Sequence, residues 1–88
     1  MGKIIITHGD IKENYDILGP KYFEIQVINK SYEQKQRQWF FDKAIKQLEK
    51  ECKSIGCNAI IHLSHQIINS SHSVCTYEFY GTAVNIVI

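Results

Sequence analysis

Phe41, Ala44, Ile45, Leu48, Cys52 and Ile55 recur at the three- and four-residue spacing of one helical stripe, and Gly56 then stops it. Only Cys57 and Asn58 separate that glycine from Ala59-Ile60-Ile61-His62-Leu63, a run with the look of a buried strand. This junction sets the architecture: a long helix, a two-residue link and a strand. Asp42, Lys43, Lys46, Glu49, Lys50 and Lys53 lie off the stripe, and Lys50 and Lys53 suit the negative pole of the helix dipole. Ser31 with Gln34 resembles a capping box, which starts the helix there and gives it about 24 residues and about 36 Å.

The remaining segments read as strands. Lys3–His8 is a short β-branched run ended by Gly9-Asp10. Residues 11–20 close on Gly19-Pro20 and read as irregular. Tyr22–Asn29 alternates, with Phe23, Ile25 and Val27 on one side. A third strand over Asn58–Ile68 places Ala59, Ile61, Leu63, His65 and Ile67 on one face. Asn69–His72 is turn chemistry, and a last strand covers Val74–Val87.

The order is β-β-α-β-β, an α+β two-layer domain spanning residues 1–88. Its sheet is expected to be antiparallel, with one long helix on one face. The nearly continuous apolar end of the fourth strand favours a central place between strands two and three. The helix-facing set is then Phe23, Ile25, Val27, Ala59, Ile61, Leu63, Tyr77, Phe79, Gly81 and Ala83, with Gly81 and Ala83 letting the helix come close. The open face carries Glu24, Gln26, Ile60, His62, Ser64, Glu78, Tyr80, Thr82, Val84 and Ile86. Its Val84–Ile88 end is too apolar for water, and burial against copies of the same chain is the simplest remedy.

Composition narrows the functional classes. The 88 residues suffice for one modest core, and a formal charge of +1 supplies no field for nucleic acid or an anionic membrane. The opening segment has no apolar region long enough for a signal peptide, so a cytoplasmic chain is expected. Three cysteines without an export signal then read as free thiols.

Each chemical candidate has a structural counterpart. Cys52-x4-Cys57 brackets the helix end and would suit zinc or copper(I), yet Cys52 lies on the apolar stripe and fits as a small core residue. His62 and His65 are three apart on a strand and point to opposite faces, so they cannot chelate together. His65 fits a core or edge position. His62 shares its face with Glu24, Glu78 and Tyr80, which is either a metal or proton-transfer set or an ordinary solvated surface. His72-x2-Cys75 sits at a turn. Trp39 and Phe40 extend the core or anchor a neighbouring subunit. There is no nucleophile triad, phosphate-cradling glycine loop or pair of catalytic carboxylates, and an enzyme is not expected.

Tyr15–Pro20 (YDILGP), Ile55–Ile61 (IGCNAII) and Tyr80–Val84 (YGTAV) together resemble the YbjQ-like family of small bacterial proteins. That family has a YxIxG-type segment, a helix ending in LGANAII or close to it, and a terminal YGTAV strand. The resemblance implies a dodecin-subunit-like core, assembly into pentameric rings, and heavy-metal binding by inference. The chain departs from the pattern in a shorter segment before the helix, in Cys57 where alanine is common, and in His62 where glycine is common. The metal candidates are accordingly His62, Glu78, Glu24 and Cys57, for an ion such as zinc or copper. The expected role is a ring-forming binding module for a metal ion or small ligand, partnered by itself and by neither nucleic acid nor membrane. The alternative is an interaction protein without a ligand.

Overall fold

The computed structural model describes residues 4–31, 33–71 and 73–87. Lys3 of the expected first strand, His72 of the turn pair and Ile88 lie outside the described residues. The elements are β1 (Ile5–Ile6), β2 (Tyr15–Ile28), α1 (Arg37–Ser54), β3 (Ala59–Ser70) and β4 (Val74–Ile86). The β-β-α-β-β order holds, and the strands form one sheet in the order β1-β3-β4-β2. β4 is central, as its apolar run implies. β4 runs antiparallel to both β2 and β3, but β1 lies parallel to β3, so the sheet is mixed rather than antiparallel throughout.

α1 is shorter than the sequence implies. It begins at Arg37 with Gln36 as N-cap, and no side chain caps it. Ser31 and Gln34 form no capping box. The Ser31 hydroxyl instead accepts from the Glu33 amide at 3.0 Å, and the Asn29 side chain donates to the Glu33 carbonyl and accepts from the Ser31 amide. Those local bonds hold a turn where a helix would otherwise start. The deepest stripe is Phe40-Ala44-Leu48-Cys52, a strict four-residue ridge, while Phe41 and Ile45 flank it and Ile55 is exposed.

β2 starts earlier than expected, at Tyr15, and runs through Gly19-Pro20. A bulge at Leu18, between the Ile17 and Gly19 pairings, absorbs the irregularity. As an edge strand, β2 tolerates a proline that donates no ladder bond.

The largest correction concerns β3. Between the pairs Ile61–Thr82 and Ser64–Tyr80, two residues of β3, His62 and Leu63, face Gly81 alone. His62 takes a left-handed φ of 54° to allow it. Such a bulge reverses the inside–outside parity of everything before it. Leu63 therefore packs in the helix-side core with Ile60, whereas Ala59 and Ile61 face the other way, beside Val84. Gly81 does not make room for the helix either. A Cβ there would lie 2.6 Å from the Ile60 Cγ2, so the glycine accommodates β3 side chains.

The apolar end of the open face is covered by the chain itself. Ala59, Ile61 and Val84 are packed by Ile5, Ile11, Tyr15 and Ile86. Asp10 fixes that cover, its carboxylate accepting from the Ile11 amide at 2.7 Å and the Tyr15 hydroxyl at 2.9 Å. Asn58, the residue after Cys57, closes the same corner: its side-chain oxygen accepts from the Ile86 amide at 2.7 Å.

Candidate functional site

Cross-strand register builds the open face. Tyr22, Tyr80 and Ser64 form one row across β2, β4 and β3, and Glu24, Glu78 and Gln66 form the next. The Tyr22 and Tyr80 rings lie 5.1 Å apart at a tilt. Tyr22 donates to Glu78 Oε2 at 2.8 Å, and Gln66 donates to Glu78 Oε1 at 2.6 Å. These two donors hold the Glu78 carboxyl below the usual range, and in return the bonded carboxylate pushes the Tyr22 phenol up to about 12. Desolvation, followed by the charge of Glu78, raises Tyr80.

His62 stands on the same face but further along. It lies opposite Gly81, three residues along β4 from Glu78, or about 10 Å at strand spacing. Its neighbours in a shallow depression are Tyr22, Ser64, Tyr80 and Thr82. The fourth expected ligand is elsewhere. Cys57 is buried on the helix side and joined to Cys52 in a disulfide with Cα atoms 5.2 Å apart. The expected free thiols are thus replaced at these two positions. Gly56, with φ 84°, turns the chain so that the two cysteines meet. Cys75 is a free, buried thiol.

A family model described as "Putative heavy-metal-binding" matches residues 27–87. The chain belongs to this YbjQ family. A crystal structure of a protein of unknown function from Pediococcus pentosaceus, assigned to the DUF74 family, has the same fold. It is 21% identical, with a TM-score of 0.64 over 96% of this chain and 98% of that one. No curated protein matches the sequence.

The family's description invites a test of the ligands in this YbjQ chain. Glu24 and Glu78 are adjacent, but His62 is well removed from them and Cys57 has no thiolate to offer while disulfide-bonded. No three His, Cys, Asp or Glu side chains group as a metal set among the described residues. The four expected ligands therefore do not fit one ion within one chain. No helix among the described residues is long and apolar enough to cross a membrane.

A different pair does meet. His8 and His65 have ring centres 6.1 Å apart. Local pattern carries no sign of this, because the contact depends on β1 pairing with β3 across more than fifty residues of chain.

Proposed function

We propose that the chain is a non-catalytic, homo-oligomeric binding module, its copies joined edge to edge in a closed ring, with a metal ion or small ligand held where subunits meet. One observation carries the reading: among the described residues, the two sides of the sheet offer unlike, uncovered strand edges bearing exposed apolar residues. β2 is the outer strand on one side, with Ile17 and Leu18 exposed by 67% and 45%. On the other side, the far half of β3 passes beyond the pairing of β1 and exposes Ile67 and Ile68. Unpaired edges of this kind invite strand addition, and two unlike edges pair head to tail, which gives a ring when the rotation between copies closes. A pentamer is the size that family resemblance favours.

The ligand half of the proposal follows from the incomplete sets of a single chain. Structural zinc takes four ligands, so a contact that adds side chains from a second copy supplies what one chain lacks. Tyr22 and Glu24 stand on the edge strand and would line such a contact.

Mass measurement on untagged protein at about 10 μM is expected to give a pentamer, because edge-paired rings of this kind need no added ligand to close. A monomer would overturn the assembly. Titration with zinc and copper(I) separates the ligand half. Stoichiometric binding that Glu24→Ala weakens supports it, and its absence leaves an interaction protein without a ligand.

A further inference from the structure

We propose that His8 and His65 form a site, within a single chain, for a divalent transition ion that favours imidazole: zinc, nickel or copper(II). The site is distinct from the subunit contacts above and stands whether or not copies associate.

The fold builds it in two steps. β1 and the segment after it bind along the outer side of β3, with the Leu63 amide donating to the Thr7 carbonyl at 3.1 Å and the His62 amide to the Gly9 carbonyl at 3.0 Å. His8 lies between those two anchors. The bulge then places Leu63 and His65 on the helix side of β3, and His8 reaches that side as well.

Each imidazole is oriented by its surroundings. The His8 Nδ1 lies 2.8 Å from the Leu63 carbonyl oxygen. A carbonyl can only accept, so Nδ1 is the donor, and in the neutral ring Nε2 then carries the lone pair. A ligating histidine is commonly fixed in this way, its second nitrogen donating to a backbone carbonyl. His65 is held by ring contacts with Phe41 at 5.1 Å, Phe79 at 5.9 Å and Tyr77 at 6.2 Å. Both histidines are exposed, so water or a small ligand can complete the coordination shell.

The spacing suits one ion. With metal–nitrogen bonds near 2 Å, each ring centre lies about 3.2 Å from the metal, so two rings on one ion are at most about 6.4 Å apart and about 5.2 Å at a tetrahedral angle. The observed 6.1 Å lies inside that limit, and closing to tetrahedral geometry moves the rings together by about 1 Å. Imidazole nitrogen suits zinc, nickel and copper(II), whereas copper(I) and other thiolate-seeking ions find no sulfur here.

Two measurements test the site on untagged full-length protein. In the wild type, substoichiometric copper(II) should broaden the imidazole NMR signals of His8 and His65 before those of the other histidines. Calorimetric titration with zinc should show about one equivalent per chain, weakened at least about tenfold by His8→Ala or His65→Ala. Circular dichroism reports whether each variant folds, and the wild-type NMR result decides the matter if one does not. No zinc binding, or broadening led by His62, would overturn the site. Undiminished binding in both variants would also overturn it, and would leave the subunit-contact proposal standing.

Discussion

The dipeptide Ile-Ile occurs twice in β3, and its two copies have opposite fates. Ile60 and Ile61 are 0% and 2% exposed, while Ile67 and Ile68 are 40% and 47% exposed. Strand and side-chain chemistry are alike, although Ile68 falls at a second irregularity in the ladder, between the Ile67 and Asn69 pairings. What differs is what lies alongside. The first pair has β1 on one flank and β4 on the other, with the helix-side core on one face and Ile5 and Val84 on the other. Among the described residues, the second pair has only β4 as a strand neighbour. Burial in this strand is decided by partners supplied from far along the chain, and the half without them is the half open to association.

The comparison breaks most visibly under truncation. Ile60→Ala should cost about 2–5 kcal/mol, the range for a fully buried isoleucine, and Ile68→Ala within about 1 kcal/mol in a monomer. Urea unfolding of the two variants measures the contrast. If copies pair through this edge, Ile68→Ala should also lower the oligomer fraction in a mass measurement. Equal costs in dilute, monomeric protein would mean that the two halves are not different in kind.

Gly81 tests the bulge that separates those halves. A methyl group there meets Ile60 Cγ2 at 2.6 Å and the Ile61 carbonyl oxygen at 3.3 Å. Both neighbours are buried, so Gly81→Ala should cost about 1–3 kcal/mol by overpacking, read from the urea midpoint. His62→Gly acts in the opposite direction. It relieves a left-handed backbone at the same bulge and should stabilise by about 1 kcal/mol.

The smallest effect lies in the exposed half. Glu78 binds protons less readily when folded, because Tyr22 and Gln66 donate to its carboxylate. Its contribution to stability is therefore present above the ordinary glutamate value of 4.5 and fades as pH falls through the lowered folded value. Tyr22→Phe removes one donor, so it should be less stable than wild type at pH 6, with the gap closing towards pH 3. Denaturation at a series of pH values checks the sign, and a gap that widens in acid would contradict it.

Much of the framework was legible in the residues. The apolar stripe with Gly56 after it located the helix and its end, and the apolar run at Ala83–Val84 put β4 in the centre. The YGTAV and GCNAII segments pointed to the family. The helix start was not legible, because the Asn29–Glu33 side-chain bonds compete with a cap that looks equally good in sequence. The facing of Ala59, Ile60 and Ile61 was hidden for a related reason. Strict alternation fails across His62, because one inserted residue in the ladder reverses it. Glu24 and Glu78 pair across β2 and β4, as their shared face implies. Cys57 was drawn away by the turn at Gly56, which brings it against Cys52.

The sequence by itself determined the element order, the one helix face that must be buried, and the membership carried by its motifs. These are local properties, set by side-chain period and by where glycine permits a turn. Only the tertiary structure decided that β1 lies parallel beside β3, that Ile11 and Tyr15 cover the far end of the open face, and that His8 meets His65. Those outcomes depend on which distant segments share an edge. No pattern within β1 or β3 specifies that choice, and it emerges only when the whole sheet satisfies its backbone hydrogen bonds and buries its apolar faces together.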